Sequence, residues 1–204
     1  TVIEQDEQAF ALGLQGGYEF DTTVIRYDYS SPTTPAQIFD YYMATGERVL
    51  RKTQEIPSGH DPSRYVAERF MAKAKDGAEV PVTVLRLASA KLDGSEPVFL
   101  YGYGSYGITL DADFNPSTFS LVNRGWIYVL AHVRGGADKG WDWFEQGRKD
   151  RKINSFTDFI AVAEDLVARR YTSRGRIVAH GRSAGGMLMG GVMVAAPDGL
   201  FGGY

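Results

Sequence analysis

The sequence predicts an α/β fold, a mostly parallel sheet with helices on both faces, preceded by a region of short strands. Three observations predict it. The runs "PVFLY" at 97–101, "WIYVLAHV" at 126–133 and "RIVAH" at 176–180 are continuously apolar, as strands covered on both faces must be. Between the last two lies "SFTDFIAVAEDLVARR" at 155–170, apolar at helical spacing, so that strand, helix and strand imply a right-handed crossover and parallel pairing. The third is a glycine-flanked serine, Ser183, placed where the last apolar run gives way to a helix-like stretch.

Taken in order, the first 60 residues read as short β segments. "TTVIRYDYS" and "QIFDYYM" are rich in aromatic and β-branched residues and are separated by the turn cluster "SSPTTP". Residues 64–87 read as a hairpin, because Asp76-Gly77 stands between two strand-like runs. The helical stretch presents Phe156, Phe159, Ile160, Val162, Ala163, Leu166 and Val167 on one face, behind Ser155 as its expected cap. The sheet is expected to end at the helix that follows Ser183, leaving one edge uncovered. No repeat of fixed period and no low-complexity stretch interrupts the chain.

Composition narrows the function. The 204 residues carry 22 Lys and Arg against 25 Asp and Glu, a net charge of -3, with no basic stripe for a phosphate backbone; nucleic acid is not an expected partner. There is no cysteine, which removes disulfides, thiolate metal sites and cysteine nucleophiles and fits a reducing compartment, so a cytoplasmic location is expected. No run reaches the ~18 apolar residues of a membrane span, and the opening "TVIEQDEQAF" lacks the regions of a signal peptide. The chain does not begin with Met and is read as a piece of a longer one.

"AHGRSAGGMLMG" at 179–190 contains G-x-S-x-G around Ser183. As a string it is weak: 12 serines and 24 glycines give about 0.2 chance matches in this chain. Its context is stronger. It follows a strand-like run and opens "AGGMLMGGVMVAA", whose small residues suit a helix packed tightly on a sheet, the strand, sharp turn and helix of a nucleophile elbow. Such a turn lifts the hydroxyl clear of the sheet beside the free N–H groups and positive dipole end of a helix. The competing reading is a glycine-rich helix start with a capping serine. A serine nucleophile needs a base, and in this arrangement the acid and histidine follow it in the chain. Only 21 residues follow Ser183, with one carboxylate, Asp198, and no histidine. All three histidines precede it: His180 is expected to pack or bond locally, while His132, at a strand end, and His60, in a loop, have no sequence argument for catalysis.

"FLYGYGSYG" spells G-x-G-x-x-G with Gly102, Gly104 and Gly107, yet "ITLDADFNPSTFS" then carries two acids and Pro116 instead of opening a helix, so a dinucleotide site is not expected. A loop at the carboxyl end of a sheet strand is instead suited to bring a donor beside the serine.

These motifs, with "SPTTPAQIFDYYMATGERVLRKTQEIP", "RGWIYVLAHVRGG" and "GRSAGGMLMG", resemble the oligopeptidase B branch of the prolyl oligopeptidase family of serine peptidases over nearly the whole chain. The resemblance implies the last blade of a β-propeller over residues 1–62 and the front of an α/β-hydrolase domain over 63–204. It implies hydrolysis of short peptides after basic residues, without a cofactor. Carried over, Ser183 would be the nucleophile, with the Ala184 N–H and the Tyr103 hydroxyl as oxyanion donors, and Asp111 and Asp113 would receive a basic residue of the substrate. The catalytic aspartate and histidine would follow Tyr204. Arg182 stands where the family usually has glycine, and Ala137 and Asp138 where it tends to show glycine and glutamate. Two alternatives stand beside this reading: an esterase or lipase on the same fold, and a chain that is inactive for lack of the triad acid and base.

Overall fold

The computed structural model describes residues 3–17 and 19–204 and holds two sheets. The first is built from β1 (Ala11–Gln15), β2 (Val24–Ser30), β3 (Gln37–Tyr42) and β4 (Arg48–Thr53), antiparallel and in chain order. Tyr27, Tyr29 and Tyr41 bury one of its faces with Ile25 and Phe39, the alternation that a half-covered strand produces. The turn at 30–35 is tied down by Glu7, whose carboxylate accepts from the hydroxyls of Tyr29, Ser31, Thr33 and Thr34. Asp40 on β3 is gripped by Arg26 of β2 at 2.6 Å and Arg51 of β4 at 2.7 Å, an ionic clasp across three strands.

The second sheet is larger. It begins with the expected hairpin, β5 (Tyr65–Lys73) and β6 (Glu79–Leu87), joined through Gly77 at φ +89. It continues with β7 (Val98–Gly102), β8 (Ile127–Ala131) and β9 (Ile177–His180), in the order β9-β7-β8-β6-β5. The β7–β8 and β7–β9 pairs are parallel, while β8–β6 and β6–β5 are antiparallel, so the sheet is mixed and less parallel than expected. The reason is the hairpin, which docks on β8 as a unit. Beyond the elbow helix the sheet does not end: Leu200 is fully buried and β10 (Phe201–Gly203) pairs parallel with β9, covering that edge. Three residues, two of them glycine, carry too little pattern to be read as a strand.

Four helices flank this sheet: α1 (Phe119–Val122), α2 (Trp141–Glu145), α3 (Ile153–Ala168) and α4 (Gly185–Ala195). α3 and α4 share one core with Val82, Val84, Leu100, Val129 and Ala179, while Phe119 and Val122 of α1 pack with Tyr65 and Leu85 on the other face. Ser155 does not cap α3. It lies inside the first turn, and its hydroxyl donates to the Arg134 carbonyl, because Lys152 rather than Ser155 occupies the cap position. Arg134, 3% exposed, holds Asp158 of α3 through two side-chain contacts and reaches Asp76 in the hairpin turn at 2.7 Å. One buried guanidinium thereby joins the hairpin, the end of β8 and α3.

Candidate active site

The apolar strand β9 delivers the chain to Ser183, and α4 begins two residues later. Ser183 holds φ +57, a left-handed conformation that costs a residue bearing a Cβ about 1–2 kcal/mol. Such strain persists only where the surroundings impose it. They do so here through close backbone approach: a Cβ on Gly181 would overlap the Gly185 carbonyl, and one on Gly185 would stand 3.0 Å from the Gly102 carbonyl oxygen. The bend leaves Ser183 exposed. In the first turn the N–H groups of Gly185, Gly186 and Met187 bond back to the carbonyls of Arg182, Ser183 and Ala184, and the Ala184 N–H has no acceptor among the described residues. An exposed hydroxyl stands next to an unengaged donor at a helix N-terminus. That arrangement suits a developing negative charge.

The loop after β7 comes up against this bend. Tyr103 lies between Gly102 and Gly104, and a Cβ on Gly185 would touch its ring edge at 3.5 Å. Gly104 is at φ +65, with Val133 within 2.6 Å of where its Cβ would be, so both glycines beside Tyr103 serve tight packing. No helix opens at Gly107; the chain runs irregularly until the short helical turn at Pro116–Thr118.

Asp111 and Asp113 lie apart from Ser183 along the chain but share a cavity with its neighbours. The cavity, of about 550 Å³, is lined by Tyr101, Asp111, Asp113, Tyr128, His180 and Arg182 among others, and so runs from the acidic loop to the elbow. Partial desolvation pushes the Asp113 carboxyl above its usual pKa, and the Asp111 charge adds to this. Burial pushes the Tyr128 hydroxyl up to about 12. The structure thus groups Ser183, Ala184 and Tyr103 at the elbow and sets the two acids in the adjoining cavity.

Two of the three histidines are held by hydrogen bonds, and His180 is exposed at the cavity. His60 donates from Nε2 to the Thr33 carbonyl and stacks on Tyr65. His132 is buried between Thr83 and Asp138, 2.8 Å from each, and Asp138 also accepts from the Leu110 N–H, one residue before Asp111. His180 stands with its ring 5.2 Å from Phe99 and 5.5 Å from Tyr101. Lys152 carried no signal in the sequence, since nothing marks a lysine in "RKDRKINSF" as inward-facing. It is half-buried, its amine donates to the Gly104 carbonyl, and burial draws its pKa below the lysine value. Among the described residues no three His, Asp or Glu side chains group to hold a metal, and no helix is long and apolar enough to cross a membrane.

Comparison with known proteins bears on the same residues. Residues 112–203 match the model of the prolyl oligopeptidase family. The chain is 44% identical to dipeptidyl aminopeptidase BI of Pseudoxanthomonas mexicana, over 96% of this chain and 27% of that protein. It is 37% identical to protease 2 of Moraxella lacunata, over 93% of this chain and 28% of that one. Oligopeptidase B from Trypanosoma brucei superposes with a TM-score of 0.91 at 39% identity, covering 98% of this chain and 29% of that structure. The chain therefore spans a little over a quarter of the length of these relatives. Motifs, fold and relatives agree in one likeness, to the prolyl oligopeptidase family of serine peptidases, whose model residues 112–203 match.

Proposed function

We propose that this chain forms part of an oligopeptidase that cleaves short peptides after basic residues, with Ser183 as its nucleophile. In this reading residues 1–62 are the last blade of a β-propeller and residues 63–204 the front of an α/β-hydrolase domain. The observation that carries it is the left-handed Ser183, exposed on a strand-to-helix bend beside an unengaged N–H. The hydroxyl oxygen attacks the peptide carbonyl carbon as its proton passes to a base. The carbonyl oxygen gains the charge and is held by the Ala184 N–H and the Tyr103 hydroxyl; collapse expels the amine and leaves an acyl-serine that water then hydrolyses. With His60 and His132 bonded elsewhere, and His180 fixed on the strand that leads directly into the elbow, the base and its orienting acid come from the remainder of the protein. No metal or cofactor is required, and a cytoplasmic setting agrees with the absence of cysteine.

Asp111 and Asp113 supply negative charge in the cavity beside the elbow and receive a basic side chain of the substrate. A second reading is favoured by the relative named dipeptidyl aminopeptidase: the same carboxylates hold the free α-ammonium of a peptide, and a dipeptide is released. A fluorophosphonate probe on the full-length protein tests the nucleophile. Labelling is expected to vanish in Ser183→Ala, and labelling that persists would assign the chemistry to another residue. Comparing an N-acylated arginyl amide with the same substrate bearing a free amine separates the two modes, and a short acyl ester turned over far faster than either would point to an esterase.

A further inference from the structure

Resting on the oxyanion role just given to Tyr103, we propose that Lys152 is a positioning residue that locks Tyr103 against the Ser183 elbow by clamping the backbone behind it. The need for a clamp is visible in the sequence. Tyr103 has glycine on both sides, and glycine gives up the most backbone freedom on ordering. Gly102 is held by packing, because a Cβ there would lie 2.8 Å from the Phe159 ring and 3.0 Å from Leu188. Gly104, at φ +65, is held by Lys152.

The Lys152 amine uses its three donors on three neutral oxygens: the Gly104 carbonyl, the Ser105 hydroxyl at 3.2 Å and the Ser155 hydroxyl at 3.2 Å. Ser155 is fully buried and donates its own hydrogen bond to the Arg134 carbonyl, and the Gly107 N–H donates to the Gly135 carbonyl at 3.0 Å. The clamp is therefore anchored through Arg134 to Asp158 and the body of α3. No carboxylate lies within 4 Å of the Lys152 amine among the described residues. A cation held on neutral acceptors behind an oxyanion donor also favours the charge of the transition state over the neutral ground state. The neighbouring cavity of about 260 Å³, lined by Ser105, Tyr106, Arg148, Lys149, Lys152 and Met187, likewise contains no acid to cancel it.

The test is a double-mutant cycle in the full-length peptidase with Lys152→Met, which keeps length and removes every donor, and Tyr103→Phe. Loss of an oxyanion donor in Tyr103→Phe is expected to lower kcat about 10²–10³-fold. Lys152→Met is expected to lower kcat about 10–10²-fold with KM within about threefold, and to add less than about threefold to the Tyr103→Phe loss, since groups acting as one unit are non-additive. Fluorophosphonate labelling of Ser183 persists in each variant. Losses that multiply independently, or a Lys152→Met enzyme with unchanged kcat, would overturn the clamp. Should Lys152→Met lose its cooperative urea transition, Lys152→Leu, which also removes every donor, is put through the same cycle under the same two criteria. Failure of the underlying reading looks different: Tyr103→Phe then leaves kcat unchanged whatever stands at 152.

Discussion

Replacing Ser183 by glycine and by alanine tests the bend separately from the chemistry. Both variants lose the hydroxyl and, with it, labelling by a fluorophosphonate. Their stabilities should differ in an unusual direction. At an ordinary position glycine is the less stable of the two by about 0.5–1 kcal/mol, because it has more freedom to lose. At φ +57 alanine keeps the left-handed cost of about 1–2 kcal/mol that glycine escapes. Setting one against the other leaves glycine ahead by about 0.5–1 kcal/mol. Ser183 is exposed, so removing its hydroxyl strips no buried partner and adds little to either side. With a urea m-value of about 2 kcal/mol per molar, the glycine variant should unfold at a midpoint about 0.25–0.5 M higher than the alanine variant. Equal midpoints, or alanine ahead, would refute the argument that the backbone at 183 is held in strain by its neighbours.

Three further outcomes follow from other parts of the molecule. Asp158→Asn leaves the buried Arg134 guanidinium with only the half-exposed Asp76 carboxylate and should cost about 3 kcal/mol by urea denaturation, most of it recovered when Arg134→Met is added. The Arg26 hydrogen bond, with help from Arg51, holds the Asp40 carboxyl down from 3.8 to about 2. Because the folded value is the lower one, the clasp stabilises fully above the unfolded pKa and is lost as pH falls toward 2, so Asp40→Asn should flatten the acid limb of a stability profile taken from pH 5 to 2. Asp111→Ala combined with Asp113→Ala should lower kcat/KM for substrates with two adjacent basic residues by about tenfold more than for those with one, roughly 1.4 kcal/mol of lost ionic attraction; equal losses on both would reject a role in reading the second cation.

The parts of the fold legible in the sequence were those where one physical demand shapes many residues. The strands around 98–102, 127–131 and 177–180 are buried on one face and largely covered on the other and so are almost wholly apolar, and α3 shows its 3.6 period over sixteen residues. The 64–87 hairpin was marked by Asp76-Gly77, where only glycine adopts φ +89 without strain. Short or exposed elements were not legible. β1, β4 and β10 were missed because three to six residues with exposed faces or glycines do not outvote chance. Ser155 was misassigned as a cap because its hydroxyl is spent on a carbonyl from another loop, a tertiary bond that no local pattern encodes. At the site, Ser183 could be found because the elbow is local in sequence, whereas Lys152 and the His132–Asp138 contact could not, since their meaning lies in loops 28 to 48 residues away.

The glycines explain why the same letters admit two readings. G-x-G-x-x-G serves a dinucleotide when its glycines let a helix N-terminus approach a pyrophosphate. In this chain Gly102 admits the Phe159 ring, Gly104 admits Val133, and Gly185 admits the Gly102 carbonyl itself. The first two are contacts with side chains and the third is between backbones, and together they fill the space a pyrophosphate would need. Two loops separated by about eighty residues of sequence are thereby set at backbone contact distance, with the tyrosine of one against the first turn of α4. A Cβ added at 181 or 185 would push main chains apart and one at 102 or 104 would press on Phe159 or Val133, each displacing the proposed oxyanion donor from the proposed nucleophile. Substitution at any of the four is therefore expected to impair kcat in proportion to the overlap the added carbon creates, most at 181 and least at 185.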